Sequence, residues 1–178
     1  PLTFSSTPAY HAVHLMFRTL AWRDSTLSNY APDLARAWRM EGDSMLVLEL
    51  RDDVYWHDGV KTTAYDLEFA YEKATDPQTG FPNTAFWSYY GEGEAVDSFT
   101  FQVEMQPHAE FMDPWRTFPP VPRHILGDVR SAEMRMQPFN TQNPVGNGPF
   151  RFVSHIEGQS WTFEANEDFP EELGGRPY

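Results

Sequence analysis

The stretch VYWHDG, Val54–Gly59, sets Trp56, His57 and Asp58 in consecutive positions: an indole, an imidazole and a carboxylate. Such a trio could move a proton or hold a metal. In an extended segment, however, consecutive side chains point to opposite faces, so His57 and Asp58 do not converge on one substrate atom. Asp58–Gly59 is a turn dipeptide, because glycine takes a positive φ without a Cβ clash. The turn accounts for Asp58, and a partly buried hydrogen bond accounts for His57. His11 and His14, three apart on a helical pattern, could share a metal ion. No third histidine or carboxylate at close spacing completes a shell, so the pair reads as two surface histidines and no metal site is expected. His108, His124 and His155 are scattered and have no joint role. Among 26 acidic residues some pair always exists. Glycoside hydrolysis needs two carboxyls about 5–10 Å apart across a cleft, a distance that chain spacing does not give. The GxSxG elbow and the GxxxxGK[ST] phosphate loop are both absent. GNG at 146–148 has no helical pattern after it, which argues against phosphate cradling. No catalytic constellation stands out, and no cofactor is expected.

Aromatic side chains form a second group of candidates. Thr75 to Glu94 reads as loop, interrupted by Pro77, Gly80, Pro82, Gly91 and Gly93. It carries Phe81, Phe86, Trp87, Tyr89 and Tyr90. Aromatics on loops stack on sugars or clasp apolar side chains. They also pack onto a sheet as an edge cover. Both readings stand at this point.

The elements that must position these residues follow from periodicity. Val13, Met16, Phe17 and Leu20 fall at helical spacing, predicting a helix over roughly Ala9 to Leu20 with Pro8 near its start. Trp38 and Met40 alternate with Arg39, and Leu46, Leu48 and Leu50 alternate with Val47 and Glu49. Two strands joined by the turn EGDS, Glu41 to Ser44, make a hairpin. Thr63 and Asp66 have the spacing of a capping box, and Leu67, Ala70, Tyr71 and Ala74 give the helix behind them one apolar face. VYWHDG is therefore read as strand end, turn and launch of a capped helix. Phe99, Phe101, Val103 and Met105 predict another strand. FPPVPRHIL, Phe118 to Leu126, is too rich in proline for a central strand. A short helix is expected around Ser131–Met136, a tight loop over NPVGNGPF, Asn143–Phe150, and a second hairpin from 151–155 and 160–165. Hairpins interleaved with helices predict an α+β fold with a mostly antiparallel sheet.

Composition narrows the class. At 178 residues the chain is read as one domain. Its formal charge of −13 repels nucleic-acid phosphates and anionic lipid heads. Without cysteine there is no disulfide, thiolate metal site or thiol nucleophile. No apolar run approaches the roughly 20 residues needed to cross a membrane. The chain reads as a piece of something longer.

Taken in order, APDLARAW, LVLELRDDVYWHDGVKTTAYDLEFAYEKATDP, VDSFTFQVEM, PPVPRHIL, NPVGNGPFRFVSHIEGQSWTFEANEDF and GGRPY resemble the family 5 extracellular solute-binding proteins, the oligopeptide, dipeptide and nickel receptors of ABC importers. The resemblance runs from about Met16 to Tyr178. Its most specific parts are WHDG with TAxD, and NPVGxGPF with GGxPY. Lys61, Thr62, Glu171 and Glu172 depart from the usual pattern. The resemblance implies part of a bilobed, type II periplasmic-binding-protein-like fold. Residues 1–31 would edge the main subdomain of the N-terminal lobe, 32–142 would form its peripheral subdomain, and 143–178 would return to the main one. It further implies a receptor outside the cytoplasmic membrane that takes peptides or similar oligomeric solutes and hands them to permease subunits. Oligosaccharides are the rival solute and nickel the third. A carbohydrate-active enzyme domain and a pure docking module are the alternatives of other classes. Membrane contact would run through the permease or a lipid anchor outside these residues. In peptide-binding relatives an aromatic in the loop after the DP of the capped helix can face the ligand. The matching positions are Phe81 to Asn83, with Asn83 where such an aromatic is expected, and Phe86, Trp87, Tyr89 and Tyr90 extend the candidate surface. Trp56, His57, Asp58, Gly59, Thr63, Asp66, Asn143, Gly146 and Gly148 are assigned to scaffold.

Overall fold

A computed structural model describes residues 7–24, 26, 29–81, 84–108, 110–156 and 158–177. In chain order the elements are α1 (Thr7–Met16), β1 (Ala21–Arg23), β2 (Tyr30–Pro32), β3 (Ala35–Glu41), β4 (Met45–Leu50), α2 (Ala64–Thr75), β5 (Tyr90–Asp97), β6 (Thr100–Met105), α3 (Asp113–Thr117), α4 (Arg123–Leu126), β7 (Phe150–Ile156) and β8 (Ser160–Ala165). Single 3-10 turns lie at Pro77–Thr79, Thr84–Trp87, Ser131–Met136, Pro138–Asn140 and Glu171–Leu173.

The strands pair antiparallel throughout the described residues. A four-stranded sheet has the order β3-β4-β6-β5, and β1-β2 and β7-β8 form two separate two-stranded ladders. The alternation of Leu46, Leu48 and Leu50 places all three in the core, where Leu48 faces Phe101 across the β4–β6 ladder. Helix α2 covers the sheet with Leu67, Ala70, Tyr71 and Ala74, all buried. Full burial of a side chain the size of leucine contributes about 1.5–3 kcal/mol, so Leu67 on this face adds on that order to the attachment of helix to sheet.

Three sequence expectations differ from the structure. The helix expected to reach Leu20 stops at Met16. The apolar spacing continues, but the backbone beyond it bonds elsewhere: Met16 O accepts from Gly148 N at 2.7 Å, and Leu20 N donates to Trp115 O at 3.0 Å. The stretch expected to be loop as far as Glu94 contains most of β5. Gly91 and Gly93 are not breakers there. A Cβ on Gly93 would lie 2.7 Å from the Phe101 ring and 3.0 Å from the Tyr71 ring, so glycine is needed for the strand to approach. The β1-β2 ladder has no counterpart among the strands expected from periodicity. The 3-10 turn at Ser131–Met136 and both expected hairpins are present.

Candidate functional site

VYWHDG meets NPVGNGPF at one junction, across 89 to 91 residues of sequence. Trp56 is buried and donates from Nε1 to Asp66 Oδ2 at 3.3 Å. That oxygen also accepts from Thr63 N–H at 2.8 Å and lies 3.2 Å from Thr63 Oγ1, closing the capping box of α2. The other oxygen, Oδ1, accepts from Arg123 N–H at 2.9 Å, which fastens α4 to the start of α2. Gly59 takes φ +88°, as the turn requires. Asp58 accepts from Val60 N–H at 3.2 Å and pairs with His124 Nε2 at 2.7 Å.

His57 points the other way. Its amide donates to Gly146 O at 2.7 Å, and its ring takes two further bonds. Nδ1 accepts from Gly146 N–H at 3.2 Å, and Nε2 donates to Gly148 O at 3.0 Å. Burial lowers the basicity of His57 to a pKa of about 4. The Gly148 bond and Asp58 oppose that fall, while Arg151 adds to it. Between the glycines, Asn147 is fully buried; it accepts from Arg18 N–H at 2.9 Å and donates to Thr62 Oγ1 at 3.4 Å. Asn143, by contrast, is exposed at the entry of the loop. His57 and Asp58 thus diverge, one into the junction and one to the surface.

The aromatic candidates divide. Trp87 is buried, with its ring edge-on to Tyr71, Tyr90, Trp115 and Phe118 at centroid distances of 5.0–5.7 Å. Tyr90 is half-buried in the same cluster and its hydroxyl donates to Phe111 O. Phe81 lies edge-on to Phe118 at 5.7 Å. Phe86 and Tyr89 are exposed at 44% and 49%, and Tyr89 rests against His108 at 4.7 Å. The expectation at Asn83 lies outside the described residues.

The histidines on α1 are not both at the surface as expected. His14 is half-buried, 4.2 Å from the Tyr10 ring and 6.0 Å from the Trp22 ring, and burial lowers its pKa. No group of three or more metal-ligating side chains gathers among the described residues. Sequence reasoning missed Asn147, the His124–Asp58 pair and the buried Asp33 held by Arg18, whose Nε donates to Asp33 Oδ1 at 2.6 Å. The Arg18 guanidinium also stands over the rings of Trp22 at 5.2 Å and Phe169 at 5.5 Å. The one sequence signal for the junction was GNG itself: two glycines around an asparagine fit a backbone that must pass close to another.

Comparison with known proteins gives a consistent result. The sequence pattern of bacterial extracellular solute-binding proteins, family 5 Middle, matches residues 29–178. The oligopeptide-binding protein AppA of Bacillus subtilis is 29% identical over 143 residues, 78% of this chain and 25% of that protein. The structure of AppA in complex with a nonapeptide superposes with TM-score 0.90 at 23% identity, covering 99% of this chain and 35% of that one. NikZ from Campylobacter jejuni in complex with Ni(L-His) is 31% identical with TM-score 0.79, over 88% of this chain and 31% of that one. A Thermotoga maritima oligopeptide-binding protein with bound mannohexaose is 28% identical with TM-score 0.77, over 90% of this chain and 30% of that one. The chain spans about a third or less of the length of these relatives. With that family pattern matching residues 29–178, the chain belongs to the family 5 bacterial extracellular solute-binding proteins.

Proposed function

We propose that this chain forms part of the substrate-binding component of an ABC importer, acting outside the cytoplasmic membrane as a receptor and not as a catalyst. The observation that carries this reading is the family match across residues 29–178. Peptides are the favoured solute, since AppA is an oligopeptide-binding protein. Residues 32–142 serve as the peripheral subdomain of an N-terminal lobe, with 1–31 and 143–178 belonging to its main subdomain. A solute held between two lobes shifts an open–closed equilibrium toward closure, and the permease takes the closed form. Of the aromatic candidates, Phe86 and Tyr89 have the exposure to touch a solute directly, while Phe81, Trp87 and Tyr90 support the surface from below.

An oligosaccharide receptor is the second reading. It is favoured by the exposed Tyr89 face backed by His108, which suits a sugar ring, and by the mannohexaose bound to the Thermotoga relative. Native mass spectrometry of the full-length receptor, purified without refolding, separates the two by the mass of the retained solute. Calorimetry with mixed peptides and cello-oligosaccharides tests the division of labour. The full receptor binds, whereas the 178-residue chain alone binds weakly or not at all; micromolar binding by the chain alone would contradict a shared cleft.

A further inference from the structure

The His57 ring makes two bonds of opposite sense to the same loop. A backbone N–H can only donate and a carbonyl can only accept, so the Gly146 and Gly148 contacts require a neutral ring with its proton on Nε2. Protonating Nδ1 would replace an acceptor with a donor facing another donor. That bond is lost, and two hydrogens of like partial charge oppose each other.

The loop held this way is also tied to α1. Gly148 N donates to Met16 O, and Arg18 N donates to Asn147 Oδ1. Neither glycine has room for a side chain: a Cβ would fall 1.9 Å from Met16 O at Gly146 and 2.7 Å from Met16 C at Gly148. The charged groups around the ring come from each element packed there. Asp58, beside it in the turn, favours the proton, and Arg151 on β7 opposes it. Arg151 is in turn engaged by Asn166 and Asp168 beyond β8. Arg18, at the end of α1, directs its guanidinium to Asp33. The loop contributes backbone and Asn147, without a charge.

We propose that His57 is an acid-sensitive latch. Neutral, it fastens residues 146–148 to the WHDG turn and to the end of α1; protonated, it releases that loop while the four-stranded sheet and α2 stay folded. Release stays local because of what each part rests on. The core of β4, β6 and α2 is packed through Leu46, Leu48, Leu67, Phe101 and Val103. The β7-β8 hairpin is a two-stranded ladder, marginal by itself, and it is tied to this loop through Asn166, whose N–H donates to Pro149 O at 2.8 Å and whose Nδ2 donates to Gly148 O at 3.1 Å. Burial keeps the ring neutral to well below the usual histidine range, so the latch is closed at neutral pH and opens in acid. The device concerns the lobe itself and is independent of which solute is bound.

Histidine-selective 15N labelling of the full-length receptor tests this without added solute. The expected result is an Nε2–H tautomer at pH 7 and a titration midpoint well below the ordinary value of about 6.5. Approaching that midpoint from the neutral side, the protonated fraction grows about tenfold per pH unit. Exchange of the Gly146 and Gly148 amides, corrected for intrinsic pH dependence, then accelerates by about that factor, while the Leu48 and Val103 amides keep their protection. In His57→Gln, whose amide donates and accepts but does not titrate, the acid acceleration disappears. An Nδ1–H tautomer, a midpoint at or above the ordinary value, or unchanged Gly146 and Gly148 protection through the titration would overturn the proposal. So would acid opening of equal size in His57→Gln. The tautomer and midpoint are read on the wild-type protein, so a variant that fails to fold does not block the test.

Discussion

Replacing Gly146 with alanine changes the molecule by one methyl group, and the junction geometry sets the cost. The new Cβ would lie 1.9 Å from Met16 O, 2.7 Å from Met16 C and 3.0 Å from His57 Cε1. Ordinary contact begins at 3.4 Å, so backbone must separate from backbone by roughly 1.5 Å, the difference between those distances. Two bonds of 2.7 Å cannot survive that movement: Gly148 N to Met16 O, and His57 N to Gly146 O. Lost buried hydrogen bonds cost about 1 kcal/mol each, and forced overpacking adds about 1–3 kcal/mol. The expected destabilisation is about 3–5 kcal/mol. With a urea slope of about 2 kcal/mol per molar, the midpoint falls by roughly 2 M. Gly42→Ala is the internal control. Gly42 takes φ +62°, and a methyl group there would meet nothing within 4 Å, so only the left-handed backbone penalty of about 1–2 kcal/mol applies. Equal midpoints for the two variants would refute the claim that space, not conformation, is what Gly146 supplies.

Other perturbations probe separate parts of the chain. Asp66→Ala strips partners from Trp56 Nε1, Thr63 N and Arg123 N, and should cost about 3 kcal/mol in urea unfolding, with Asp66→Asn losing less because one carbonyl oxygen remains. Arg18→Met leaves the buried Asp33 carboxylate without its cation and should cost about 3–5 kcal/mol at pH 7. Burial already pushes the Asp33 carboxyl up to about 6; without Arg18 the folded state holds that proton more tightly than the unfolded chain, so the variant should lose stability as pH rises. His57 acts with the opposite dependence. Its folded pKa of about 4 lies below the ordinary 6.5, so its contribution is complete above pH 6.5 and declines as pH falls toward 4, by up to about 3 kcal/mol. The difference between wild-type and His57→Gln unfolding curves across that window isolates the effect; parallel curves would contradict it.

Local grammar was legible in the sequence, and long-range partnership was not. The Thr63–Asp66 box was readable because both halves lie within one helical turn, and the β3–β4 and β7–β8 hairpins because strand alternation flanks short turns. Strand β5 was hidden because Gly91 and Gly93 look like breakers until Tyr71 and Phe101 are placed against them. Likewise, α1 ends where Gly148 claims the Met16 carbonyl, 132 residues on, by simple subtraction of their numbers. Trp87 sat in a stretch whose composition fits a ligand-facing loop as well as a core. Its burial depends on Tyr71, Trp115 and Phe118, which other segments supply. The sequence identifies Asp66 as a cap, whereas only the fold brings Trp56 and the amide of Arg123 to the same carboxylate.

The receptor reading is tested most directly by small-angle scattering of the full-length protein with and without its retained solute, paired with product analysis of that solute. The expected result is a smaller radius of gyration on binding, reversed when the solute is removed, and recovery of the solute chemically unchanged. A solute that comes back cleaved, or that binds with no change in dimensions, would contradict a two-lobed receptor that works by closure.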